Sequence, residues 1–267
     1  LVEKEFLTLP VWDQFDETTA EAVARAVERC LPEPWKFVRV AWHEGGDRKQ
    51  SAQERYVAFF DWKGSEFALI PGGKVTLGYD PVHPPSLPPG LLRGWVRAAR
   101  ARSGQPGFDW KAYLVEIMSP VRTVALDPFL IAVTGVPKTA KTGRGERGRI
   151  RREGFLLPTA DQWEHACAAG TRTLWHWGDR RIDGDPEEAN AFGLRLPPDT
   201  YVIEALDVPG EYRGGDGGVR VCGGEHPVEQ QLPLVSWFRK YGSKDQEDWW
   251  RHTRYRRVFP LPPKVLG

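Results

Sequence analysis

The chain has 267 residues, 40% hydrophobic and 27% charged, with a formal net charge of +1. That composition supplies a core, excludes wholesale disorder, and gives no global pull toward nucleic acid or an acidic membrane. Three cysteines, Cys30, Cys167 and Cys222, are too few for a disulfide framework and point to a reducing compartment. The first residues, LVEKEFLTLP, carry no apolar segment behind a basic start, and no uncharged apolar run is long enough to span a membrane. The expectation is a cytoplasmic protein without membrane contact.

Residues 16–31 predict an amphipathic helix. Asp16 or Thr18 caps it, Ala20, Val23, Ala24, Val27 and Leu31 share a face, and Pro32 and Pro34 stop it. Residues 37–42 and 56–62 read as strands. This helix–strand–strand unit predicts a small α+β extension over 1–66, ahead of a main domain over 67–267. Further along, 91–102 reads as a helix and 113–118 as a strand. Residues 134–153 are rich in Gly, Arg and Lys and predict a polar loop that does not pack.

The densest stretch is 154–179. Thr159 and Gln162 have capping-box spacing, so each side chain can take the other's backbone N–H. Trp163, Ala166 and Cys167 give the following helix an apolar face. Ala168-Ala169-Gly170 closes it, with Gly170 free to turn left-handed. Trp175, His176 and Trp177 lead to a Gly178-Asp179 turn.

Leu157-Pro158-Thr159, Trp163-Glu164, Ala169-Gly170 and Trp177-Gly178-Asp179 together resemble the formylglycine-generating-enzyme (sulfatase-modifying factor) family. The resemblance implies an α+β fold, a variant of the C-type lectin fold rich in irregular loops. It spans roughly 67–260, with deletions. Phe67 to Gly78 resembles the family's opening hairpin, with Pro71-Gly72-Gly73 as its turn, and 124–131 its second hallmark strand. Asn190-Ala191-Phe192-Gly193-Leu194 matches a further motif. Arg213-Gly214-Gly215-Asp216 resembles an Arg-Gly-Gly-Ser, and Tyr255-Arg256-Arg257-Val258 stands where the family has its closing strand.

The family's oxidase holds Cu(I) between two cysteines that follow the Gly-Gly-Ser, as suits a soft ion. Here 214–226 contains Cys222 alone, so the resemblance does not extend to formylglycine synthesis. The family's calcium-associated segment corresponds to 199–204, where only an acidic residue, Glu204, survives. Calcium and copper are thus possible from the resemblance, but both motifs are degraded and the cofactor stays unknown.

Cys222, Glu225 and His226 form the candidate catalytic or metal-binding group; the competing reading is a buried thiol beside tight glycine turns. Gly217 and Gly218 can form a nest of N–H groups for an anion, or simply a tightly wound loop. Gly135 to Thr142 nearly spells a phosphate-binding loop, with Ala140 in place of the second glycine. Gly143-Arg144-Gly145 is expected to break the helix that such a loop must feed. A solvated loop is the preferred reading, with Lys138, Lys141, Arg144 and Arg147 as an anion-binding patch. A second basic stretch, 239–257, interleaves arginines with Trp237, Tyr241, Trp249, Trp250 and Tyr255. There arginines are expected outside and aromatics inside, and nucleic acid is not the expected partner. Two functions follow: a binding or accessory protein for a peptide or small ligand, or an atypical metal- or thiol-dependent oxidase using Cys222.

Overall fold

A computed structural model describes residues 2–45, 53–85, 87–103, 107–178, 189–242 and 252–263, apart from the side chains of residues 102 and 103. A short turn of 3-10 helix leads to α1 (Leu9–Trp12) and α2 (Glu17–Glu28). Strands β1 (Lys36–Gly45), β2 (Gln53–Trp62), β3 (Ser65–Ile70) and β4 (Gly73–Leu77) follow. Then come α3 (Pro89–Ser103), α4 (Trp110–Ile117), β5 (Arg122–Leu126), β6 (Phe129–Ala132) and β7 (Val136–Pro137). Helices α5 (Gly143–Arg152) and α6 (Ala160–Ala168) precede β8 (Ile203–Ala205) and β9 (Glu211–Arg213). The chain closes with α7 (Val219–Cys222), α8 (Pro227–Gln231), β10 (Lys240–Tyr241), β11 (Thr253–Tyr255) and β12 (Val258–Pro260). The protein is therefore mixed α+β. No described helix is long and apolar enough to cross a membrane.

The main sheet runs β1-β2-β3-β6-β12, antiparallel throughout. Both faces are covered, which is why 67–70 of β3 read as an unbroken apolar run. On one face Trp35, Phe60, Phe67 and Phe155 pack with Ala20, Ala24 and Val27 of α2. On the other, Phe59, Ile70 and Ile131 pack with Ala166 of α6 and with Phe192. A second sheet, β10-β9-β8-β11-β7, pairs β8 with β11 in parallel. The strands β4 and β5 form a separate ribbon. A third apolar cluster gathers Trp95, Trp175 and Trp237, so much of the large tryptophan complement fills space between short elements.

The division at residue 66 falls inside β3. A tight turn at Lys63 and Gly64, both with positive φ, joins β2 to β3. Residues 36–62 thus supply two strands of the main sheet, and α2 packs on one of its faces.

Four local expectations are also corrected. Pro71-Gly72-Gly73 does not turn a hairpin. β3 pairs with β2 and β6, whereas β4 pairs with β5, so the segment passes the chain between sheets. An added Cβ at Gly72 would overlap the Leu126 carbonyl oxygen, which explains the glycine. Residues 124–131 form two strands broken at Asp127-Pro128. Residues 113–117 belong to helix α4, capped by Asp109, whose carboxylate accepts from Lys111 N at 2.9 Å. Residues 134–153 contain β7 and α5. The cap of α2 is Asp16, which accepts from Thr19 N at 2.7 Å.

Candidate functional site

The α6 capping box forms as expected: Gln162 N donates to Thr159 Oγ1 at 3.1 Å and Thr159 N to Gln162 Oε1 at 3.0 Å. Ala169 and Gly170 both turn left-handed at its end. The helix then delivers Trp163 into the centre of the molecule, where its Nε1 donates to Glu204 Oε2 at 2.7 Å. Arg256 donates to both Glu204 oxygens, at 2.9 and 2.5 Å. Arg256 also serves the carbonyls of Ala132, Val133 and Arg195. Arg256 is fully buried and Arg257 nearly so, against the expectation of outward arginines. The acidic residue left from the calcium-associated segment is therefore an internal counter-ion, and the residues present do not fit calcium. Trp249, Trp250 and Asp179 lie outside the described residues.

Cys222 ends the four-residue α7, and its thiol is exposed, so the buried-thiol reading is corrected. Its Sγ lies 3.2 Å from the Tyr201 hydroxyl, a hydrogen bond that pushes the phenol's pKa up. Glu225 sits beside Arg220, with Oε2 3.7 Å from Nε. His226 caps α8, its Nδ1 accepting from Val228 N at 3.3 Å. The Asp216 carboxylate accepts from Val219 N and Arg220 N at the start of α7. Each candidate group thus has its own local partner. Among the described residues, no three His, Cys, Asp or Glu side chains come together to hold a metal ion. Cys167 packs in the cluster around Trp163, and Cys30 against the α2 core. A bis-thiolate copper site does not fit this arrangement.

Both anion-binding candidates are already filled from within. Gly217 and Gly218 do adopt positive φ, and the N–H groups of Asp216, Gly217 and Gly218 converge as a nest requires. They converge on the Thr200 carbonyl, at 3.1, 3.0 and 3.2 Å. In the phosphate-loop-like segment, Thr139 N and Ala140 N donate to Glu146 Oε2 at 3.0 and 2.8 Å. A carboxylate of the chain's own α5 therefore sits among those amides. The helix forms despite its glycines because Thr142 caps it, accepting from Gly145 N at 3.1 Å, and because Glu146, Arg147 and Ile150 are buried along it. Arg147 donates to the carbonyls of Leu206 and Asp207, so it is withdrawn from the basic patch. Lys141 and Arg144 are exposed and Lys138 is half-buried.

Burial works to raise the pKa of Glu146, but Arg149 and the amides of Ala140 and Thr139 outweigh it and hold the carboxyl at about 2. A depressed folded-state pKa contributes stability above the ordinary carboxyl value of 4.5, lost as pH falls from there toward 2. Glu146→Gln should cost about 1.5–3 kcal/mol at neutral pH and flatten the stability profile in that acid window. Urea midpoints measured across the window test this; an unchanged acid limb would remove Glu146 from the account.

Composition and motifs missed a groove beside β4, with a volume of about 230 Å³. Leu9 and Pro10, Ala168 at the end of α6, Gly170, Thr171 and Arg172 beyond it, and Trp237 contribute to its lining. Val75 and Leu77 are buried while Lys74 and Thr76 are exposed, the alternation of a half-buried strand. The guanidinium of Arg172 stands 5.2 Å from the centre of the Trp237 ring. His165, also in the lining, is buried, and its Nε2 lies 2.9 Å from the Pro71 carbonyl. Burial holds its pKa down at about 4, so the ring is neutral near pH 7. No acidic side chain lines the groove. The Lys74/Thr76 alternation was the available sequence signal; the nearness of Arg172 and Trp237 is tertiary.

No protein-family model matches the chain, and a search of the curated proteins found no match either.

Proposed function

We propose that the chain is a divergent formylglycine-generating-enzyme-like domain, a variant of the C-type lectin fold, that binds a peptide or small ligand without oxidising it. The observation that carries this reading is the state of Cys222: one thiol, hydrogen-bonded to Tyr201, with no second thiol and no metal-binding group of described side chains beside it. The residues that resemble the family's motifs have structural work instead, in the α6 capping box and in the Glu204–Arg256 pair. Three free thiols support a reducing, cytoplasmic setting. The formal net charge of only +1 favours a peptide or small molecule over nucleic acid.

The rival reading, a metal- or thiol-dependent oxidase, draws on the exposure of Cys222. Metal analysis of the purified protein separates the two. A metal-free protein in which Cys222→Ser leaves stability and ligand binding unchanged is the expected result. Stoichiometric copper or iron that disappears in Cys222→Ser would sink the binding reading.

A further inference from the structure

The β4 groove combines an open strand edge with unopposed positive charge. In an antiparallel ribbon, alternate residues direct both backbone groups away from the partner strand. On β4 and its approach, those residues are Gly72, Lys74 and Thr76. Gly72 is already used: its N–H donates to the Leu7 carbonyl at 2.8 Å, and its carbonyl accepts from Leu9 N at 2.9 Å. Residues 7–9 therefore fill the start of a third-strand position beside β4, running parallel to it. The chain then turns away, because Leu9 begins α1 and Pro10 follows. The edge continues past that point. The Thr76 carbonyl faces the groove and accepts a long hydrogen bond, 3.5 Å, from the guanidinium of Arg172.

The groove's chemistry fits what would continue that strand. Lys74 and Arg172 are both exposed, and no ion pair joins either to a carboxylate among the described residues. Arg172 is held over Trp237, so part of its ordering is complete before a ligand arrives. The neutral imidazole of His165 neither opposes nor reinforces the charge. The buried Val75 and Leu77 and the indole of Trp237 supply an apolar floor. At about 230 Å³ the space is smaller than the roughly 300–1,000 Å³ of drug-sized sites, which suits a ligand of about two residues.

We propose that this groove binds the carboxyl-terminal end of a short, extended peptide, which adds to the β4 edge and places its free carboxylate between Lys74 and Arg172. The proposal rests on the binding reading above and names its ligand class. The backbone edge selects an extended chain, the two cations select a terminal carboxylate, and the floor selects apolar side chains. The surroundings of Cys222 take no part.

Isothermal titration of the full chain with three probes tests it: N-acetyl-valyl-valine, its carboxamide, and isovalerate. The free acid should bind, and the carboxamide about tenfold or more weakly, because charge-assisted hydrogen bonds are lost. Isovalerate, which has a carboxylate and no chain to pair, should also fall well below the dipeptide. Arg172→Gln and Lys74→Gln should each weaken the free acid by about tenfold; Lys74→Gln should leave the melting temperature unchanged, and Arg172→Gln should lower it only slightly through the lost Trp237 contact, since both side chains are exposed. Equal binding of acid and amide overturns the carboxylate's role. Isovalerate matching the dipeptide overturns the strand pairing. No heat from any probe at millimolar concentration removes the site, yet leaves the binding reading standing if the protein is metal-free. Stoichiometric metal lost in Cys222→Ser removes the reading itself.

Discussion

Arg256→Met is expected to cost about 3–5 kcal/mol of folding stability, the range found when a buried ion pair loses one partner. Arg256 lies between β11 and β12, where the chain passes from the second sheet to the first. Its guanidinium is buried and donates to both Glu204 oxygens and to the carbonyls of Ala132, Val133 and Arg195. Methionine can fill much of the volume but supplies no donor. Glu204 would keep only the Trp163 indole as partner, with its charge uncompensated, and the carbonyls of Ala132, Val133 and Arg195 would each lose a donor, Val133 keeping Arg195 N. Part of the loss is therefore the cost of an orphaned anion. Adding Glu204→Gln to Arg256→Met should restore about 1–2 kcal/mol, because the remaining group is neutral. Urea denaturation checks both variants, with an unchanged m-value required for the comparison. A loss below about 1 kcal/mol for Arg256→Met would mean that water solvates Glu204 in its place.

What could be read from the sequence was whatever has its causes within a few residues. Helix α2 is set by Asp16 and an apolar stripe, and α6 by Thr159 and Gln162, all inside one or two turns. Helix α5 was missed for the opposite reason. Its glycines and arginines oppose a helix locally, and what secures it lies elsewhere: Glu146 reaches back to Thr139 and Ala140, and Arg147 reaches Leu206 and Asp207. The Pro71-Gly72-Gly73 hairpin failed similarly, since the strand paired with β4 begins at Arg122. At the candidate site, the glycines at 217 and 218 gave the shape of the nest correctly. Its occupant, the Thr200 carbonyl, is invisible to any local pattern. Cys222, Glu225 and His226 are close in sequence, but Tyr201, Arg220 and Val228 engage them separately. Proximity along the chain does not by itself make a constellation. The reverse holds in the β4 groove, where Lys74, Arg172 and Trp237 are far apart in sequence and meet only through the fold.

Gly215→Ala is the second large expected effect, a loss above about 3 kcal/mol or failure to fold. Gly215 has no positive φ, so the case rests on space alone. An added Cβ would overlap the Val202 carbonyl oxygen and lie 2.7 Å from that of Thr200. Both neighbours are backbone, and neither can rotate aside as a side chain would. Val202 directly precedes β8, which pairs with β9 and β11, so moving it strains the second sheet. Thr200 is fixed by the three N–H groups of 216–218, so moving it empties the nest and leaves three donors without their partner. The control is Gly224→Ala. That residue has φ +66 but nothing within 4 Å of an added Cβ, so only the left-handed backbone is penalised. Its cost should be about 1–2 kcal/mol. Thermal and urea unfolding of the two variants side by side isolate packing from backbone preference. Equal losses would show that the 214–218 loop is not pressed against 200–202, and the internal nest would fall with it.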